Sequence, residues 1–303
     1  MDLPRLITAM VTPFDEMGRL DEAQAKRLGE ALVTSGSGGL VVSGTTGESP
    51  TLTRDEKLRL FAGIKEAVGG RAMVIAGTSS YNTAESVALS REAEGIGVDA
   101  LLLVTPYYNK PPQEGLYQHF AAIAGAVHIP CILYNVPSRT GVNLAAETTA
   151  RLSQIENIVG VKEASGDLAL EQTANIVAGA RPGFRVWSGD DPMTLPMMAV
   201  GAYGVVSVAS HLVGRQIEAM LEDYVAGRVE AAAATHRNLL PLFKGLFLVA
   251  NPIPVKYALN RVGLRVGPTR LPLVEADDRT KAALDALLAR YQVDLPVQMA
   301  AVR

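Results

Sequence analysis

Eight lysines are spread along this chain, and one of them stands where an amine can act as a nucleophile. Lys26, Lys57, Lys65 and Lys281 lie in charged, helix-patterned text and Lys110 runs into Pro111-Pro112, all solvated settings. Lys162 instead ends the apolar run Ile158-Val159-Gly160-Val161 and opens onto Glu163-Ala164-Ser165-Gly166, the pattern of a buried strand delivering its last residue to a polar turn. Burial there favours the neutral amine, which attacks a carbonyl carbon. The alternative is a structural pair, most simply with Glu163. Lys256 is the rival amine, in the first turn of an expected C-terminal helix.

An amine alone is not a site. Imine chemistry on a small keto acid also needs a proton shuttle for carbinolamine formation and dehydration, and donors for the substrate carboxylate. Tyr134, at the end of Cys131-Ile132-Leu133-Tyr134, can be the shuttle, with Thr46 and Tyr108 relaying protons. Thr45 and Thr46, on a turn flanked by Gly44 and Gly47, can offer hydroxyls and backbone N–H groups to a carboxylate. Arg139, in a loop reached through Pro137, can grip a second carboxylate with both arms of its guanidinium. Each has a plain reading, a packed ring or an ordinary turn. Their convergence on one face argues for chemistry.

Other chemistries find less support. His119, His128, His211 and His236 show no metal-ligand spacing, so no metal is expected. Asp190-Asp191 before Pro192 reads as a solvated helix N-terminus rather than a cation site. The single cysteine, Cys131, excludes an internal disulfide and opens an apolar run, as a small core residue does.

For these residues to meet, their strands must share one edge. Eight short β-rich runs recur: 6–11, 39–43, 73–76, 100–104, 131–134, 158–161, 185–187 and 203–208. Most are continuously apolar, as parallel strands covered on both faces are. Segments of helical periodicity lie between them, at 21–35, 53–68, 83–95, 113–127, 145–153, 168–178 and 192–200, with 214–226 after the last. Thr53 and Glu56 form the spacing of a capping box. Eight such units predict an α/β fold, a (β/α)8 barrel over residues 1–226, with the site where the strands end. A doubly wound sheet would want a glycine fingerprint after the first strand, and Thr12-Pro13-Phe14-Asp15 is none. Residues 227–303 predict a small helical extension with helices at 230–248, 254–262 and 279–291.

With 303 residues, 48% hydrophobic, 19% charged and a formal net charge of −3, the chain has ample core and no electrostatic footprint for nucleic acid or an anionic membrane. Met1-Asp2-Leu3-Pro4-Arg5 has neither a signal core nor a basic transit helix, and no uncharged stretch suits a bilayer, which places the protein in the cytoplasm.

The chain resembles the family of dihydrodipicolinate (4-hydroxy-tetrahydrodipicolinate) synthases and N-acetylneuraminate lyases, pyruvate-dependent barrels. The likeness runs from Ala9-Met10-Val11-Thr12-Pro13-Phe14 to Asn251-Pro252-Ile253-Pro254-Val255-Lys256. GTTGES at 44–49, TPYYNKP at 105–111, YNVPSRTG at 134–141 and VKEASGD at 161–167 carry it jointly. It implies that Lys162 forms the imine with pyruvate and needs no organic cofactor, that Tyr134, Thr46 and Tyr108 form a proton relay, and that Gly189 and Val206 line the pyruvate pocket. It implies a homotetramer, a dimer of dimers, in which Tyr108 acts across the tight dimer interface. Arg139 matches the arginine that the synthases use for aspartate 4-semialdehyde and that the sialic acid lyases generally lack, favouring lysine and diaminopimelate biosynthesis over a 2-keto-3-deoxy sugar-acid or sialic acid aldolase. A catalytically silent carboxylate-binding barrel is the reading from another class. In lysine-inhibited members an effector pocket matches Ser49, Arg54, Lys57, Tyr81, Glu85 and Tyr107, with histidines where Arg54 and Lys57 stand and asparagine in place of Tyr81. Two permanent cations there disfavour bound lysine, so weak or absent feedback is expected.

Overall fold

The computed structural model describes residues 3–295, so the last part of the expected extension, 296–303, lies outside the described residues. Eight parallel strands close into a barrel in chain order: β1 (Leu6–Ala9), β2 (Gly39–Val42), β3 (Met73–Gly77), β4 (Ala100–Val104), β5 (Cys131–Asn135), β6 (Ile158–Glu163), β7 (Arg185–Ser188) and β8 (Gly204–Ser207). Nearly every strand residue is buried, which is why the runs are continuously apolar rather than alternating. Parallel order sends all eight C-terminal ends to the same rim, where (β/α)8 barrels place their sites. The family of folds expected from the sequence is the one observed.

The chain forms two compact units. One takes in the described residues up to Ala72 and from Ser207 onward, and the other runs Met73–Val206. In the first, α1 (Glu22–Thr34) is capped by Asp21, whose side chain accepts from Gln24 N–H. Helix α2 (Arg54–Val68) starts with the capping box expected of Thr53 and Glu56. Helix α9 (Ser210–Val225) starts four residues before the expected 214, and Val213, with φ −130°, breaks its regularity. Its first turn is set by tertiary contacts: His211 Nδ1 hydrogen-bonds the Val208 carbonyl and His211 Nε2 accepts from Val11 N–H at 3.1 Å. Helices α10 (Val229–Gly245), α11 (Ile253–Arg261) and α12 (Asp278–Leu288) follow, so this C-terminal part packs in the same unit as β1 and β2.

In the second unit, α3 (Thr83–Ile96), α4 (Gln113–Ala124), α6 (Ala146–Leu152), α7 (Ala169–Gly179) and α8 (Thr194–Ala199) are the crossover helices. One element went unforeseen: α5 (Pro137–Thr140) is a single turn begun by proline and ended by Gly141 at φ 73°. Arg139 therefore rides on a helical turn, not an open loop. The strand β6 also runs two residues past the expected end, and Lys162 lies within it.

Candidate active site

The register of β5 and β6 pairs Tyr134 with Lys162 and Asn135 with Glu163. Successive strand residues face opposite ways, so Tyr134 and Lys162 share one face and Asn135 and Glu163 the other. Lys162 is 5% exposed, and its Nζ lies 4.2 Å from the centroid of the Tyr134 ring. It forms no ion pair among the described residues. Glu163, the partner that a structural reading would give it, is engaged elsewhere: its carboxylate accepts from Asn135 Nδ2, Gln172 Nε2 and Ser165 N–H. Burial pushes that carboxyl above the usual range, and these hydrogen bonds offset part of the effect. Asn143 extends the network, accepting from Asn135 Nδ2 at 2.8 Å and donating to Gln172 at 3.0 Å. The network ties the ends of β5 and β6 together behind Tyr134 and Lys162.

Gly189, just after β7, donates its N–H to the Glu163 carbonyl at 2.7 Å. A Cβ there would stand 2.8 Å from Ala164 Cβ and 3.1 Å from Lys162 Cε, so only glycine allows this approach to the lysine. Val206 is buried within β8. Lys162, Tyr134 and Gly189 thus form one cluster.

Two expected residues are exposed rather than buried. Tyr108 is 90% exposed and sits at φ 71°, a left-handed conformation costly for an aromatic residue. Arg139 is exposed on α5. Neither makes a side-chain hydrogen bond among the described residues.

Thr45 and Thr46 occupy the turn after β2. Glu48 N–H donates to the Thr45 carbonyl and Ser49 N–H to the Gly44 carbonyl, while Thr12 Oγ1 donates to the Gly47 carbonyl at 2.6 Å. A Cβ on Gly47 would lie 3.1 Å from the Met10 carbonyl oxygen, so the turn packs tightly against the chain leaving β1. Glu48 closes the turn in the left-handed region at φ 55°. Two residues hold it, Asn251, which the sequence did not single out, and Lys256, which it offered only as a rival amine. Asn251 Nδ2 donates to Thr46 Oγ1 at 2.8 Å, and Lys256 Nζ pairs with Glu48 Oε1 at 2.8 Å. Lys256 also donates to the carbonyls of Thr12 and Pro268 and lies over the Phe14 ring. With all three protons committed, it is a structural cation rather than a rival nucleophile. Both residues lie in the Asn251–Lys256 segment, where the resemblance read from the sequence ends, and that was the available signal.

The positions matching an effector pocket divide between the units. Tyr81 and Tyr107 meet edge to face at 5.1 Å, and burial, then Tyr81 and Glu85, push the Tyr107 phenol upward. Ser49 begins the 3-10 turn after Glu48, and Arg54 and Lys57 sit in the first turns of α2. The acidic pair differs from expectation: Asp191 is 2% exposed, and burial, with Asp191 beside it, raises Asp190 to about 6, so this is no solvated helix start. Cys131 is buried, its thiol pushed up to about 12. No group of three or more histidine, cysteine, aspartate or glutamate side chains suited to a metal occurs among the described residues, and no described helix is long and apolar enough to cross a membrane.

The profile of the dihydrodipicolinate synthetase family matches residues 2–291. A 4-hydroxy-tetrahydrodipicolinate synthase from Dehalococcoides mccartyi is 58% identical over 297 residues, 98% of this chain and 99% of that protein. One from Symbiobacterium thermophilum is 59% identical over 290 residues, 95% and 98% of the two chains. Among solved structures, dihydrodipicolinate synthase from Aquifex aeolicus superposes with a TM-score of 0.93 at 41% identity, covering 97% of this chain and 100% of that one. The Cyanidioschyzon merolae enzyme with lysine bound gives 0.92 at 46% identity over 94% and 97%. The chain belongs to the dihydrodipicolinate synthetase family.

Proposed function

We propose that this protein is a lyase-type enzyme, a 4-hydroxy-tetrahydrodipicolinate synthase of lysine and diaminopimelate biosynthesis, condensing pyruvate with L-aspartate 4-semialdehyde. The observation that carries the reading is the buried amine of Lys162, without a carboxylate partner among the described residues and packed on Tyr134, while the adjacent Glu163 is held by Asn135, Ser165 and Gln172. A lysine buried for stability would be paired. An amine held against a phenol is the pairing that imine formation uses.

In the proposed reaction Lys162 Nζ attacks C2 of pyruvate, and Tyr134, with Thr46 and Tyr108 relaying protons, protonates the departing hydroxyl as the carbinolamine loses water. The protonated imine is the electron sink that lets a proton leave C3, so the reaction calls on neither a metal nor an organic cofactor. The enamine carbon then attacks the aldehyde, and the amino group of the second substrate displaces Lys162 as the ring closes. Thr45, Thr46, Gly189 and Val206 bind the pyruvate unit, and Arg139 takes the semialdehyde carboxylate. The exposure and left-handed backbone of Tyr108 support a role across a dimer interface in a cytoplasmic homotetramer. The barrel of residues 1–226 carries the chemistry, and the helices after 227 buttress it.

Borohydride added with pyruvate tests the reading. A reduced three-carbon adduct on Lys162, found by peptide mass spectrometry, is expected, together with turnover of the semialdehyde. An unmodified Lys162 overturns it.

A further inference from the structure

The side chain of Asn251 is 94% buried yet makes a single hydrogen bond among the described residues, Nδ2 to Thr46 Oγ1 at 2.8 Å. Its Oδ1 is buried with no protein partner. A buried amide retained for stability is normally satisfied at both ends, and one satisfied only toward a single hydroxyl calls for another explanation. Thr46 is itself 3% exposed, and this is the one side-chain bond its hydroxyl makes among the described residues.

The direction of that bond decides what the hydroxyl can do. A threonine hydroxyl has one proton to give and two lone pairs. Because the amide donates, it occupies one lone pair and leaves the proton and the other lone pair free. An acceptor in the same place would take the proton and stop the hydroxyl from passing one on. Two residues further along the same turn, the Glu48 carboxylate is fixed by Lys256 Nζ and by Arg270 N–H, each at 2.8 Å. The segment from Asn251 to Lys256 therefore holds the Glu48 carboxylate of the turn through one residue and the Thr46 hydroxyl through another.

We infer that Asn251 is a positioning residue for the reaction: by donating to Thr46 Oγ1 it keeps that hydroxyl oriented as the donor in proton transfer. The inference rests on the proposed role of Thr46 as a relay.

The test measures kcat, KM for pyruvate and the rate of imine formation, read as borohydride-trapped Lys162, in wild type, Asn251→Ala, Asn251→Asp, Thr46→Val and the Thr46→Val/Asn251→Ala double variant. Asn251→Ala should lower kcat and the imine rate by roughly 10-fold, the worth of one hydrogen bond, with KM changed less than about 3-fold. Asn251→Asp keeps the shape but accepts the Thr46 proton, so its loss should be larger, roughly 100-fold. That loss should shrink as the pH falls and a protonated aspartic acid donates again, a limb absent from wild type and from Asn251→Ala. The double variant should be no slower than Thr46→Val. Wild-type rates in Asn251→Ala, or losses that multiply in the double variant, overturn the inference while leaving the relay intact. A Thr46→Val enzyme at the wild-type rate overturns the relay itself. Should Asn251→Ala not fold, the isosteric Asn251→Asp and its pH profile decide the matter: a profile parallel to wild type overturns the inference.

Discussion

Replacing Lys256 with methionine isolates what the C-terminal segment contributes to the turn after β2. Lys256 and Glu48 have side-chain exposures of 2% and 1%, and Nζ and Oε1 are 2.8 Å apart. Burial pulls the lysine's pKa down, and Glu48 partly restores it, which is the signature of a cation held in a desolvated place by its partner. Methionine fills nearly the same volume and can keep contact with the Phe14 ring, so the loss is electrostatic rather than a cavity. Glu48 would keep the Arg270 N–H on one oxygen and leave the other without a donor.

Breaking a buried pair on one side costs about 3–5 kcal/mol, because an uncompensated charge stays in the interior. At roughly 2 cal/mol/K per residue, a chain of 303 residues unfolds with an entropy near 0.6 kcal/mol/K, so the melting temperature should fall by about 5–8 °C. Thermal unfolding followed by circular dichroism reads this directly. Adding Glu48→Gln removes the orphaned charge while preserving an acceptor for Arg270 N–H, and the double variant should recover about half of the loss or more. A Lys256→Met protein melting within about 2 °C of wild type would refute the reasoning, as would a double variant less stable than the single one.

Gly189→Ala should cost roughly 10-fold or more in kcat with the fold retained, because its methyl stands 3.1 Å from Lys162 Cε; an unchanged rate of pyruvate imine trapping would count against the cluster as described. Burial lowers His211 and His119 to about 4, so the unfolded chain binds protons that the folded one refuses, and this part of the stability is lost as pH falls from about 6.5 toward 4. Asp190, raised to about 6, works the other way over the same range, so the contrast to measure is the slope of melting temperature against pH, which His211→Gln should flatten; an identical slope would exclude His211 as a source. Feedback by L-lysine should be weak or absent, since Arg54 and Lys57 place cations where inhibited relatives are expected to have histidines, and half-inhibition at sub-millimolar lysine in a steady-state assay would reverse this.

What the sequence disclosed and what it hid divide along a physical line. Parallel strands covered on both faces write themselves as apolar runs, so all eight were visible, with ends within two residues of the structure. Period-two alternation also explains why Lys162 and Glu163, adjacent in sequence, do not pair: neighbours on a strand face opposite ways. The helical turn under Arg139 was hidden because four residues carry no periodicity, although Pro137 and Gly141 are its proper start and stop. The early start of α9 was hidden because its first turn is held by His211 bonding Val208 and Val11, the latter 200 residues away.

Residues that touch substrate tend to sit at strand ends, where their type and place betray them, so the proposed ones, Lys162, Tyr134 and Thr46, were readable from local text. A residue that only orients one of these can come from any part of the chain, and its own neighbourhood carries no trace of the task. Asn251 reaches Thr46 across 205 positions of sequence, from a proline-rich segment that reads as a helix boundary. In a barrel whose reactive groups are supplied by strand ends, the elements added after the eighth strand are free to set the direction of a hydroxyl. The hydrogen-bond deficit of a buried amide is the mark by which such a residue can be found.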